Sequence, residues 1–74
     1  MYHNIIMNTF GQNLKRMRKE VAVSQHKLAN SIGVTQQCVS DWEKDKIEPT
    51  MSNLCKLADF FDVTIDYLVG RTDY

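Results

Sequence analysis

The chain has 74 residues, 43% of them hydrophobic and 24% charged, with nine basic side chains balancing nine acidic ones. This length and composition describe one globular domain whose small core must lean on helix packing or oligomerisation. Such a chain has room for a binding surface and little for a deep catalytic cleft, and no run approaches the roughly 18 apolar residues of a membrane span.

Residues 1–8 read as an N-terminal arm, either flexible or packed on the domain through Tyr2, Ile5 and Ile6. Met1–Thr9 has neither the basic start nor the apolar core of a secretory signal. A first helix is expected over about 9–21. Thr9 caps it and Gln12, three residues on, completes a capping box. Phe10, Leu14, Met17 and Val21 then share one helical face.

A second helix follows at about 24–32, capped by Ser24, with Leu28, Ala29 and Ile32 inward. Gly33 ends it, because glycine enters the left-handed region without a Cβ penalty. Thr35 caps a third helix over about 35–44. Val34 and Val39 are placed to form a hydrophobic staple at its start, and Val39 and Trp42 face inward. Asp45 to Pro49 form a loop. Thr50 caps a fourth helix to about residue 61, with Leu54, Leu57, Ala58 and Phe61 on one face. Asp62-Val63 is a tight link, and Thr64 caps a last short helix over about 64–69. Gly70 stops it, leaving 71–74 as a tail. The fold class is therefore all-α: a compact domain of five helices spanning 9–70, without strand-like alternation.

Chemistry-bearing clusters are not apparent. Cys38 and Cys55 form no CxxC pair and have no accompanying histidine cluster, so free thiols in a reducing cytoplasm are expected, with no metal and no cofactor. There is no nucleophile–base set and no phosphate-binding glycine loop, which argues against an enzyme.

The informative stretch is Ser24–Glu43. Two helices of about nine residues joined by a glycine-containing turn match the helix-turn-helix unit, whose second helix enters the DNA major groove. Gln36 and Gln37 open that helix, and glutamine presents the donor and acceptor that match adenine in the groove. Ser40 and Asp41 lie one turn further on the same side. Asp41 could accept from a cytosine amino group, but it would repel a phosphate. Gln25, at the first turn of the preceding helix, suits a phosphate through free N–H groups and the helix dipole. His26 and Lys27 follow, where acidic residues would ordinarily favour the dipole. Each of these polar groups could equally be a solvated face. Net charge zero argues weakly against nucleic acid, but its distribution argues back. Residues 1–56 hold eight Lys/Arg against five Asp/Glu, while 57–74 hold Arg71 against four aspartates. Arg18 and Glu43, each next to an apolar core position, are expected to form a structural ion pair between the first and third helices.

SQHKLANSIGVTQQCVSDWEKDKIEPTMSNLCKLADFFDVTIDYLVG resembles the Cro/cI-type (Xre-like) helix-turn-helix family. Ser24-Gln25, Leu28-Ala29, Gly33-Val34-Thr35, Val39-Ser40-x-Trp42-Glu43, Pro49 with Leu54, and Asp66-Tyr67-Leu68-x-Gly70 all fall in register. The resemblance implies a lambda-repressor-like domain that binds a palindromic double-stranded operator as a homodimer and regulates transcription, most simply as a repressor. It implies base readout by Gln36, Gln37 and Asp41. Backbone contacts fall to Gln25, Ser40, Lys44 and Lys46, to which the reading of the second helix's start adds His26 and Lys27, and the structural bridge to Arg18–Glu43. Ala22 and Asp45 stand where the family often has glycine, so strain of order 1 kcal/mol is expected at Ala22. The dimer surface is expected near Tyr67, Val69 and Tyr74. A protein-interaction module is the alternative, with a toxin or an anti-repressor as partner.

Overall fold

The computed structural model describes residues 9–71. The arm at 1–8 and Tyr74 lie outside the described residues. The elements are α1 (Phe10–Glu20), α2 (Gln25–Ile32), α3 (Gln36–Glu43), α4 (Met51–Phe61) and α5 (Ile65–Leu68). The third helix packs against both α1 and α2, α4 packs against α2 and α5, and α5 returns to α1.

Local rules set the boundaries. A serine or threonine hydroxyl caps each helix: Thr9, Ser24, Thr35, Thr50 and Thr64 accept backbone N–H groups at 3.0–3.1 Å. At Thr9 the capping box is complete, with the Thr9 N–H donating to Gln12 Oε1 at 3.0 Å. Such caps satisfy donors that a helix start otherwise leaves orphaned, each contributing about 1 kcal/mol.

The helix ends also share one device. Ala22, Gly33, Asp45, Asp62 and Gly70 all have φ between 58° and 80°. The next residue's N–H then donates back to the last turn: Val23 to Arg18, Val34 to Ala29, Lys46 to Asp41, Val63 to Ala58 and Arg71 to Asp66, at 2.8–3.1 Å. This left-handed reversal covers exposed carbonyls and redirects the chain at once, which is how five helices fit in so few residues. Three of the five turns lack glycine. Aspartate tolerates this region better than alanine does, so Ala22 bears the strain. Ala22→Gly is expected to raise stability by about 0.5–1 kcal/mol, partly offset already by the freer unfolded chain. A rise of a few degrees in Tm by circular dichroism would register it, and an unchanged or lower Tm would refute it.

The core is built from Leu14, Met17, Leu28, Ala29, Ile32, Val39, Trp42, Leu57, Ala58 and Leu68, all buried. Phe10, Val34, Leu54, Phe61 and Val63 pack against it from half-buried positions. Val21 departs from expectation: it is the C-terminal cap of α1 and 53% exposed. The turn at Ala22 begins before the helical stripe can carry Val21 inward.

Candidate nucleic-acid interface

The α3 helix is amphipathic across its width. Its inner face carries Val39 and Trp42, both at most 1% exposed. Its outer face carries Gln36, Gln37 and Lys44, which are exposed, and Ser40 and Asp41, which are half-buried. The turn from Gly33 to Thr35 sets α3 against α2, and the N-terminus of α3, with both glutamines, is left uncovered by the other described residues. On that front Gln37 Nε2 donates to Asp41 Oδ1 at 2.9 Å.

The opposite end of α3 is held from three directions. Arg18 Nε and Nη2 donate to the two Glu43 carboxylate oxygens at 2.6 and 3.0 Å, forming a forked pair. The side chains are 11% and 3% exposed. Arg18 Nη1 donates to the Val23 carbonyl at 2.9 Å, so the guanidinium also ties down the α1–α2 turn. Donation to the Glu43 carboxylate holds the Arg18 pKa above its usual value, against the opposing effect of burial.

Gln25 joins the same group. Its amide donates to Glu43 Oε1 at 3.0 Å, so the side chain expected on a phosphate has a partner inside the protein. The main-chain N–H at the start of α2 is the part of Gln25 best suited to an anion. His26 Nε2 faces Asn30 Nδ2 at 3.2 Å on the exposed side of α2, and Lys27 beside it is exposed.

Two further supports reach α3 from distant parts of the sequence. Asp45, just past α3, reaches back to α1: it accepts from Thr9 Oγ1 at 2.6 Å and from the Gly11 N–H at 3.0 Å. A carboxylate there also complements the positive end of α1, whose first turn has no acidic residue of its own. Gly11 lets the two helices meet. A Cβ there would fall 2.6 Å from the Trp42 carbonyl oxygen and 2.7 Å from that of Glu43. No local pattern marks either residue, because each acts across more than 30 positions of sequence.

A helix-turn-helix family model matches residues 14–68. The chain belongs to the helix-turn-helix family. It is of the Cro/cI, or Xre-like, type. Among curated relatives, it is 35% identical over 63 residues to the SPbeta prophage-derived uncharacterized HTH-type transcriptional regulator YonR of Bacillus subtilis, covering 85% of this chain and 58% of that protein. It is 35% identical over 60 residues to the cryptic phage CTXphi transcriptional repressor RstR of Vibrio cholerae, covering 81% of this chain and 54% of that one. The chain thus spans little more than half the length of these relatives. Among solved structures, the P22 c2 repressor in complex with synthetic operator 9T superposes with a TM-score of 0.83 at 28% identity, covering 88% of this chain and 98% of that one. The fold is that of the lambda-repressor-like domains.

Other features of this helix-turn-helix domain have structural explanations. Burial, with Asp41 nearby, pushes the Cys38 thiol pKa up, which lowers its reactivity at neutral pH. Tyr67 lies half-buried against the core with the Arg16 guanidinium 5.9 Å from its ring centre. Much of its surface is therefore already used within the domain. Val69 lines a shallow cleft with Phe10, Ile47, Pro49 and Leu54. Ile47 is 49% exposed and Met51, close by in sequence, 66%. Among the described residues no group of three or more His, Cys, Asp and Glu side chains is placed to hold a metal. None of the described helices is long and apolar enough to cross a membrane.

Proposed function

We propose that this protein is a sequence-specific DNA-binding regulator of transcription, a repressor, that acts in the cytoplasm as a homodimer on a palindromic operator. The observation that carries the reading is the uncovered polar front of α3, held rigidly on a domain of the same fold as a repressor solved on operator DNA. Gln36 and Gln37 project toward base edges, with Asp41 behind them. Lys27, Ser40, Lys44, Lys46, His26 and the α2 N-terminus at Gln25 approach the sugar–phosphate backbone. Two copies joined through the C-terminal region, around Tyr67, Val69 and Tyr74, would present their α3 helices about 34 Å apart, one turn of DNA. Doubling the phosphate contacts suits a chain without net positive charge.

Selection of bound DNA from a random duplex pool tests the whole proposal. The expected result is a single enriched motif with two-fold symmetry and half-sites one turn apart. An asymmetric motif would remove the dimer, and no enrichment would remove sequence-specific binding. On the recovered site, Gln36→Ala is expected to weaken binding by about 1–3 kcal/mol and to relax the preference at one position per half-site. Lys27→Ala should instead weaken every sequence alike and flatten the salt dependence. Equal loss on random DNA for Gln36→Ala would contradict its assignment to base readout.

A further inference from the structure

The hydrogen bond between Gln37 and Asp41 constrains more than the position of two side chains. A glutamine amide has a donor end and an acceptor end, and a free amide can turn either way toward a base. An ionised carboxylate accepts only. With Asp41 one helical turn behind it, the Gln37 amide is stable with Nε2 toward Asp41, as the 2.9 Å contact has it. The reverse orientation would set two oxygens against each other. Asp41 is half-buried on its own helix while Gln37 is exposed, so the aspartate is the fixed partner and the glutamine the guided one. Lys44 is the cation nearest in sequence, but it is Gln37 that donates to the carboxylate.

We propose that Asp41 is a positioning residue that fixes the orientation of the Gln37 amide and thereby makes Gln37 select adenine and reject guanine. This rests on α3 being the helix that reads the groove. One Nε2 hydrogen goes to Asp41. The other lies on the same edge as Oε1, so that edge offers a donor beside an acceptor in a set order. Adenine presents an acceptor at N7 and a donor at N6, which this edge matches. Guanine presents two acceptors, N7 and O6. A freely turning glutamine can offer guanine its Nε2 hydrogens, but an anchored one sets Oε1 against O6. The second carboxylate oxygen adds a further acceptor behind it. Asp41 thus acts mainly by exclusion, which compensates for its poor fit to a phosphate-rich groove.

The test compares the wild-type chain with Asp41→Asn, Gln37→Ala and the double variant, each in a random-pool selection and then in titrations of the recovered duplex. The position assigned to Gln37 is the one whose preference disappears in Gln37→Ala. Wild type is expected to favour adenine over guanine there by about tenfold or more. Asparagine keeps the size of aspartate and can still hold Gln37, but it donates as well as accepts, so it does not set the direction of the amide. Asp41→Asn also removes a charge that repels phosphate, so it is expected to bind every sequence somewhat more tightly, while the ratio of its affinities for the adenine and guanine sites loses most of its discrimination. In the Gln37→Ala background the same change should have no effect at that position. Full discrimination retained by Asp41→Asn, or a base other than adenine at the Gln37 position, would overturn the proposal. A wild type that enriches no sequence would instead overturn the reading of α3 as a DNA-binding helix.

Discussion

Glu43→Ala is expected to cost about 3–5 kcal/mol of folding free energy, a large share of the roughly 5–15 kcal/mol that holds a domain together. The loss does not measure the attraction in the Arg18–Glu43 pair. It comes mainly from what the substitution leaves behind, a guanidinium 11% exposed with no carboxylate beside it. The Gln25 amide loses the same acceptor. Chemical denaturation followed by circular dichroism measures the effect. The control is the double variant Arg18→Met with Glu43→Leu, which removes both charges and fills the space. It should lose clearly less than the single variant, because replacing a buried pair with apolar groups avoids the stranded charge. A Glu43→Ala protein within about 1 kcal/mol of wild type would place the pair with solvent-screened surface bridges, which contribute little.

Trp42→Ala should be comparably severe, at about 3–5 kcal/mol. Trp42 is the largest fully buried side chain, 1% exposed, on the face of α3 that meets both α1 and α2. Its removal leaves a cavity at the junction of three helices, and small domains have few alternative contacts to close it. Trp42→Phe, which keeps most of the ring volume, is expected to lose less than half as much. Denaturation midpoints decide both. The side chain is also the chain's single tryptophan, so in the other variants its fluorescence reports directly whether the back of α3 remains packed. A Trp42→Ala protein with a near-native midpoint would mean that α3 is held chiefly by its polar contacts.

The legible parts of the fold are the ones written locally. The five hydroxyl caps, the glycine stop at Gly33, and the apolar stripes of α2, α3 and α4 each depend on neighbours within a turn or two, so spacing reveals them. The strained turn at Ala22 could be anticipated only because a family resemblance marked it as a glycine position. Periodicity alone turns Val21 inward, because it does not register where a left-handed residue ends the helix. Asp45 and Gly11 escaped for a different reason. Their roles come from α1 and α3 meeting after the chain has folded back, and nothing adjacent in sequence signals that approach. Gln25 belongs to this second class: its local setting suggests an anion site, while the fold brings Glu43 to its amide. In the candidate interface, the exposure of Gln36 and Gln37 followed from their placement after a cap. The pairing of Gln37 with Asp41 is a one-turn relation open to sequence reading, but its direction depends on the chemistry of a carboxylate.

The contrast between the two ends of α3 has an evolutionary consequence. The glycine contact, the carboxylate from Asp45 and the Glu43 fork all grip the helix at its far end, so these contacts do not depend on the exposed side chains of Gln36 and Gln37 at its tip. New preferences can therefore be tried at that tip one side chain at a time, as bits are changed in a chuck, without first repairing the scaffold. Because the shaft is tethered to α1 at its far end, each new tip would meet DNA already aligned, with little freedom left to lose on contact.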